Sequence, residues 1–419
     1  MENKELLRQI VVQQKAEVQK EGVVRRLILD EILKWLPDKR VLILTGVRRC
    51  GKSTLLRQIM EGRSDYCYVN FDDERFIGFK AKDFEQLNEI LIEVYKNPKI
   101  YFFDEIQNID QFETFVRRLQ DQGKKIVITG SNASLLSKEL GTRLTGRYKS
   151  FEVYPFSFKE YLVFQSVAPE KDWFHIAEKK VRLQGLFKQY LVDGGFPEYL
   201  KNHDADYLKT VFENILYRDI IARYAIRKQR IVRELVNLLT TSISSTFTYN
   251  SLKTSLGLAN SNTVKEYISY LGNSYLFFEL AKTDFSLKKQ LASPKKAYLV
   301  DTAFHQASGL NFSQNKGRLL ENLVFVELKR RNKDVAYFSG KKECDFIVKD
   351  GNKISFACQV CFNLTEDNQK REVDGLVEAL EAFKLKGGQI LTMEQEDELK
   401  VGGKTIKILP VWKWLLTTV

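Results

Sequence analysis

LILTGVRRCGKSTLLRQIM, residues 42–60, places a glycine-rich turn between an apolar run and a helical pattern. Inside it Gly46-Val47-Arg48-Arg49-Cys50-Gly51-Lys52-Ser53 satisfies G-x-x-x-x-G-K-[ST] at every fixed position. A loop of this kind needs glycines because its backbone N–H groups must turn inward around an anion, and Cβ atoms would block that approach. In that reading Lys52 reaches the β- and γ-phosphates of ATP, Ser53 offers its hydroxyl to Mg²⁺, Thr54 adds to the phosphate contacts, and the helix starting there contributes its N-terminal dipole. An ordinary Gly-rich turn is the alternative, and the surrounding sequence argues against it.

Working outward, the run VLILT before the loop suits a strand buried on both faces of a parallel sheet. Downstream the pattern alternates: CYVNFDDE, KIYFFDEI and KKIVITGS read as strands, and FEQLNEILIEVYKN and QFETFVRRLQDQG as helices. This predicts a doubly wound α/β layer with right-handed crossovers. The strand KIYFFDEI ends in Asp104-Glu105, where one carboxylate can hold Mg²⁺ and the next can orient an attacking water. Without a phosphate loop the same pair would read as a solvated strand end. Ser131 and Asn132 close the next strand, where either could position that water. Beyond them Arg143 and Arg147 precede a last strand, and an arginine there could stabilise phosphate charge in a neighbouring subunit. An exposed basic loop is the competing reading, equally good for Arg143 and weaker for Arg147. Upstream, VVRRLILDEILKW, residues 24–36, has helical spacing.

After SFEVYPFSFKEYLVF the strand signal stops, and helical segments such as VRLQGLFKQYLV and YLKTVFENILYRDIIARY take over around a GGFPEYL turn. Residues 231–280 then show helix-turn-helix spacing, with SNTVKEYISYLG as the expected recognition helix. From Lys295 the alternation resumes, with KKAYLVD opening a small α/β domain. The expected division is 1–165, ATPase core; 166–228, helical lid; 229–294, winged-helix-like module; 295–419, C-terminal α/β domain. In the last, Glu321 lies on a helix, Asp345 opens a strand and Gln359 lies in the next, an order that resembles the PD-(D/E)XK nucleases; that resemblance implies Glu321, Asp345 and Gln359 as metal ligands and a water-activating lysine where Cys361 stands. A fold retained for packing or nucleic-acid contact is favoured over an active nuclease. Strand alternation places Cys358 and Cys361 on opposite faces, against joint zinc ligation.

Composition sets outer bounds. The excess of 66 Lys and Arg over 54 Asp and Glu gives a formal charge of +12, favouring polyanionic partners such as DNA, RNA or nucleotide phosphates. Five scattered cysteines give no disulfide framework, and His175, His203 and His305 lie too far apart in sequence to suggest a histidine-rich metal site. The polar N-terminus lacks the apolar centre of a signal peptide, and no apolar run approaches the roughly 18 residues of a membrane span. A cytoplasmic protein without a membrane partner is expected.

The ordered set GVRRCGKST, YFFDEI, ITGSNASLLS, LTGRY, FEVYPFSFKEY and GGFPEYL resembles the prokaryotic AAA+ superfamily ATPases of the archaeal-ATPase-like branch, over essentially the whole chain. That resemblance implies a P-loop NTPase core with a helical lid, a winged-helix module and a C-terminal domain of unknown function. It makes Gly46 to Thr54 the nucleotide loop, Ser53 and Asp104 the Mg²⁺ ligands, Glu105 the catalytic carboxylate, Ser131 or Asn132 the sensor, and Arg147 an arginine finger in a homo-oligomer. The C-terminal domain resembles the PD-(D/E)XK nucleases, with Glu321, Asp345, Gln359 and Cys361 as a degenerate site. A machine acting on nucleic acid and a slow nucleotide-dependent regulator acting through protein contacts are both consistent with these residues.

Overall fold

The computed structural model describes residues 2–17, 24–133, 146–168, 171–174, 176–284, 286–307, 316–351 and 353–417. They form two compact units: Met1–Tyr154 with Asn273–Tyr275, and Pro155–Gly272 with Leu276–Val419. Arg143 lies outside the described residues.

The first unit contains α1 (Glu2–Glu17), α2 (Leu29–Trp35), β1 (Val41–Thr45), α3 (Lys52–Met60), β2 (Tyr66–Asn70), α4 (Phe84–Tyr95), β3 (Ile100–Asp104), α5 (Phe112–Asp121), β4 (Lys125–Gly130) and β5 (Tyr148–Glu152). The strands form one parallel sheet in the order β2-β3-β4-β1-β5. Burial on both faces explains why β1 and β3 are continuous apolar runs, each buried at all five positions. Because β4 is inserted between β1 and β3, the ends of the phosphate-loop strand and of the Asp104 strand flank the end of β4. In register, Thr45 meets Gly130 and Phe103 meets Ile128. Helix α1 places Leu7, Ile10 and Val11 in the same core as Val69 of β2 and Leu87 and Leu91 of α4.

The expected helix over residues 24–36 is shorter: α2 begins at Leu29, and residues 24–26 are non-helical. The reason is Arg26, whose backbone N–H donates to Gln58 Oε1 and whose guanidinium is buried against loop carbonyls. Those contacts outweigh the helical spacing of the flanking apolar residues.

In the second unit the chain runs through α6 (Phe158–Phe164), α7 (Ala177–Asp193), α8 (Pro197–Asn202) and α9 (Ala205–Asn214), which continues into a π-helical segment, Ile215–Ala222. Next come α10 (Gln229–Thr241), β6 (Thr246–Phe247), α11 (Tyr249–Ser255), α12 (Ser261–Asn273), β7 (Phe277–Ala281), α13 (Leu287–Ala292) and β8 (Lys295–Leu299). Strands β6, β8 and β7 form an antiparallel sheet in that order. Thus KKAYLVD, expected to open the C-terminal domain at residue 295, pairs with the strands before it. A boundary at 294/295 would cut this sheet, because the ladder from Phe277↔Leu299 to Ala281↔Lys295 runs through it.

The chain continues through α14 (Ala303–Ala307), α15 (Lys316–Arg330), β9 (Asp334–Ser339), β10 (Glu343–Asp350), β11 (Lys353–Val360), α16 (Glu366–Ala382), β12 (Gly387–Thr392), β13 (Asp397–Val401), β14 (Lys404–Pro410) and α17 (Val411–Leu416). These six strands form a mixed sheet, β13-β14-β12-β11-β10-β9, with Leu376 and Leu380 of α16 packed on Ile347, Ile390 and Ile406. At the GGFP turn Gly194 has φ 65°, and a Cβ there would fall 1.7 Å from Asp301 Oδ1. Asp301 accepts from the N–H groups of Gly195 and Ala303, each at 2.9 Å. Burial pushes its carboxyl up to about 6 against the pull of those N–H groups.

Buried Asn322 of α15 fastens β8: its Oδ1 accepts from Leu299 N–H at 2.7 Å and its Nδ2 donates to Leu299 C=O at 2.9 Å. Asn322→Ala leaves both backbone groups unpaired and should cost about 2–4 kcal/mol. Urea unfolding of the full chain measures this, and a change below about 0.5 kcal/mol, the size of an ordinary surface substitution, would dismiss the clamp.

Candidate active site

The loop after β1 is shaped by close approach. A Cβ on Gly46 would sit 2.0 Å from Val153 C=O, so only glycine lets the loop leave the sheet here. Gly51 caps α3 in the left-handed region, and Arg49 is also left-handed at φ 65°. Val47 and Cys50 are buried, and burial raises the Cys50 thiol, keeping it protonated. Arg48 lies 3.9 Å from Asp72.

Lys52 is buried with its ammonium 3.1 Å from the carbonyl oxygens of both Gly46 and Val47 and 3.5 Å from Glu105 Oε1. Burial is the largest influence and works against both charges, but their mutual attraction together with Asp104 beside Lys52 and Gln107 and Arg48 beside Glu105 outweighs it: Lys52 is raised and Glu105 is lowered, so both stay ionised at neutral pH. Glu105 sits in a left-handed turn at φ 51° with its N–H on Thr129 Oγ1 at 2.9 Å, and its Oε2 accepts from Gln107 at 2.5 Å. Asp104 is 1% exposed; burial, then the neighbouring Glu105 charge, raises its carboxyl. It accepts from Thr129, from Tyr68 OH at 3.1 Å and from the Ser53 side chain.

The strand order therefore unites Lys52, Ser53, Asp104 and Glu105, with buried Ser131 and Asn132 following β4 and Ser131 Oγ 3.5 Å from Gln107 Nε2. A glycine-shaped loop opening onto α3, a buried ammonium and a Ser53–Asp104 pair fit a Mg²⁺-bound triphosphate. Thr54, on the first turn of α3, is half-buried. Arg147 does not join them. Its carbonyl accepts from Val41 N–H at the start of β1, and its guanidinium pairs with Asp121 at 2.8 Å, half-exposed. The phosphate loop leaves the other end of that strand, about 17 Å away for five residues. Arg147 cannot serve its own chain's phosphates from there.

Three supports had no sequence signal. Arg26 is 4% exposed and donates to Cys50 C=O at 2.8 Å and to Tyr154 C=O at 2.6 Å, tying the loop to the chain after β5. Thr129 holds both Asp104 and the Glu105 backbone. Tyr275 OH donates to Thr45 Oγ1 at 2.7 Å from 230 residues away, while Asn273 C=O accepts from Ala133 N–H at 2.7 Å. The ends of β1 and β4 are thus both anchored by Asn273–Tyr275, the last residue of α12 and the two after it.

In the second unit, Glu321 and Asp345 meet, but around a lysine. Lys296 of β8 places its ammonium 3.1 Å from Glu321, 2.8 Å from Glu343 and 2.9 Å from Asp345. The positive charge that Cys361 cannot supply at position 361 comes instead from Lys296 of β8. Gln359 is oriented elsewhere, its Oε1 accepting from Asp345 N–H at 3.0 Å and its Nε2 donating to Glu372 at 2.6 Å. Cys361 lies in the apolar core beneath α16, its thiol raised to about 12 by burial and then by Glu372. Among the described residues no cluster of three His, Cys, Asp or Glu side chains has the geometry to hold a metal.

Residues 38–162 match the model of a family described as an AAA domain, and residues 184–315 match a domain of unknown function. Over 439 aligned residues the chain is 35% identical to "Uncharacterized protein MJ1544" of Methanocaldococcus jannaschii, covering 100% of this chain and 97% of the relative. It is 30% identical to an "Uncharacterized protein" of Haemophilus influenzae, covering 94% and 98%. Among solved structures it resembles a Walker-type ATPase of Pyrococcus abyssi at 15% identity and TM-score 0.45, covering 70% of this chain and 99% of that one.

If Arg26 fixes the loop, Arg26→Gln should weaken ATP binding about 10- to 100-fold, the equivalent of the lost charge-assisted hydrogen bonds. Calorimetry on a variant with unchanged circular dichroism decides it, and affinity within about twofold of wild type, well under the 1.4 kcal/mol of a tenfold change, would leave Arg26 only a packing role.

Proposed function

Because the chain belongs to the family of AAA-domain proteins represented by its full-length relative in Methanocaldococcus jannaschii, we propose that it hydrolyses ATP and couples that cycle to a macromolecular partner, nucleic acid. The observation that carries the reading is the buried Lys52–Glu105 pair at the joint end of β1 and β3. An incoming triphosphate offers Lys52 oxygen acceptors in place of the Gly46 and Val47 carbonyls, which frees Glu105 to accept a proton from water. Ser53 and Asp104 would hold Mg²⁺, which offsets negative charge between the β- and γ-phosphates. Ser131 or Asn132 would position the water from the end of β4, and Gln107 fixes the Glu105 carboxylate.

For the partner, the +12 charge and the succession α10, β6, α11, α12, β7, β8 support a winged-helix module on nucleic acid. Arg223, Arg227, Lys228, Arg230 and Arg233 are all exposed along the approach to and first turns of α10. Arg147, remote from its own loop, would serve a neighbouring copy. A cytoplasmic setting suits five free, buried cysteines. No described helix is long and apolar enough to cross a membrane.

Lys52→Ala should abolish ATP binding in calorimetry, whereas Glu105→Gln should retain binding and lose most turnover. Wild-type turnover in Glu105→Gln would move the catalytic carboxylate elsewhere. Turnover assayed with duplex DNA, single-stranded DNA and RNA tests the partner: stimulation supports it, and slow turnover indifferent to all three favours a regulator working through protein contacts.

Loss of a finger arginine costs about 10³ or more in rate. Arg147→Ala and Lys52→Ala should each be inactive alone and regain activity when co-assembled. A co-assembled mixture that stays inactive rejects action in trans.

A further inference from the structure

The resemblance to metal-dependent nucleases implies a divalent cation among Glu321, Asp345 and Gln359, and the residues present do not fit one. We propose that the Lys296 ammonium is the resident cation of this centre and that the centre takes up no divalent metal.

An ammonium has three N–H donors and no acceptor. Here three carboxylate oxygens, Glu321 Oε1, Glu343 Oε1 and Asp345 Oδ1, lie 2.8 to 3.1 Å from one nitrogen. Glu321 and Asp345 accept hydrogen bonds from the ammonium, and Glu343 adds a third negative charge at ion-pair distance. A Mg²⁺ or Mn²⁺ ion would have to stand about 2.0–2.2 Å from the same oxygens, in the space the ammonium fills. Lys296 cannot withdraw to solvent, because its side chain is 2% exposed and its backbone is fixed between β6 and β7, opposite Thr246 and Leu280.

Further hydrogen bonds fix Asp345, Glu321 and Gln359 in this arrangement. Asp345 Oδ2 accepts from Val360 N–H at 3.0 Å, and Tyr298 OH donates to Glu321 Oε1 at 2.7 Å. Gln359 bridges the Asp345 backbone and Glu372, and Glu372 is itself paired with Arg371 at 2.5 Å. A metal would therefore displace a buried cation and also meet it at close range, where like charges repel strongly.

The lysine also joins two sheets. It belongs to the three-stranded sheet, and its acceptors Glu343 and Asp345 belong to β10 of the six-stranded one. In a metal enzyme the ion would join the carboxylates. Here a side chain does so permanently, making this unit independent of metal supply.

The test is a calorimetric titration of the nucleotide-free full chain with Mn²⁺, run beside Asp345→Asn and Asp104→Asn, so that uptake at the ATP site is recognised separately. Any Mn²⁺ binding by the wild type should be insensitive to Asp345→Asn, and its melting temperature should not change on adding EDTA. Lys296→Met, folded by circular dichroism, should acquire a Mn²⁺ site that Asp345→Asn removes. Wild-type Mn²⁺ binding lost in Asp345→Asn but kept in Asp104→Asn would overturn the proposal. So would a folded Lys296→Met that gains no site. Should Lys296→Met not fold, the wild-type comparison still decides.

Discussion

Three strands end side by side because β4 lies between β1 and β3, and the chemistry of the first unit depends on that order. A parallel sheet directs all its strand ends to one edge, where loops rather than pleated backbone meet the solvent. The phosphate loop leaves β1, the Asp104-Glu105 pair leaves β3, and Ser131-Asn132 leave β4 at that edge. The edge is then made rigid by groups that do no chemistry. Arg26 joins Cys50 to Tyr154, Thr129 joins β4 to the Asp104 carboxylate and the Glu105 backbone N–H, and Tyr275 closes on Thr45. Without nucleotide, the charges satisfy one another: Lys52 leans on two loop carbonyls and on Glu105. Phosphate binding exchanges partners inside a preformed cage, so little reorganisation is required.

A buried lysine among carboxylates recurs in the second unit with the opposite meaning. Lys52 stands at the mouth of a loop whose glycines allow a ligand to approach. Lys296 stands among three carboxylates, with Asp345 Oδ2 accepting from Val360 N–H and Tyr298 OH donating to the same Glu321 oxygen that faces the ammonium. The first ammonium has acceptors that phosphate oxygens can replace. The second is buried against three carboxylates of its own chain.

What the sequence made legible were features whose signal is local. VLILT and KIYFFDEI are apolar throughout because both faces of their strands are covered, and GVRRCGKS has its spacing because consecutive backbone amides must wrap one anion. Arg26 was hidden because its partners are a loop 24 residues away and a carbonyl 128 residues away, and it sits in a run whose helical spacing pointed the other way. Lys296 was hidden for a related reason: KKAYLVD is an unremarkable strand until its pairing with β6 and β7 places position 296 opposite a different sheet. Cys361, expected beside ligands, lies just past the end of β11 and packs under α16 instead, in one core with Val373 and Leu376. For Arg147, nearness to a strand was readable but the pairing of that strand with β1 was not, and the pairing puts it at the far end from the loop.

Hydrogen–deuterium exchange of the nucleotide-free chain, with and without Mg²⁺ and ATP, tests the central assignment most directly. The account requires slowed exchange of the amides of Gly46 to Thr54, with smaller protection at Glu105 and Ser131, as the loop N–H groups take phosphate acceptors. Unchanged exchange across residues 46–54 under nucleotide saturation, or protection confined to the second unit, would contradict it.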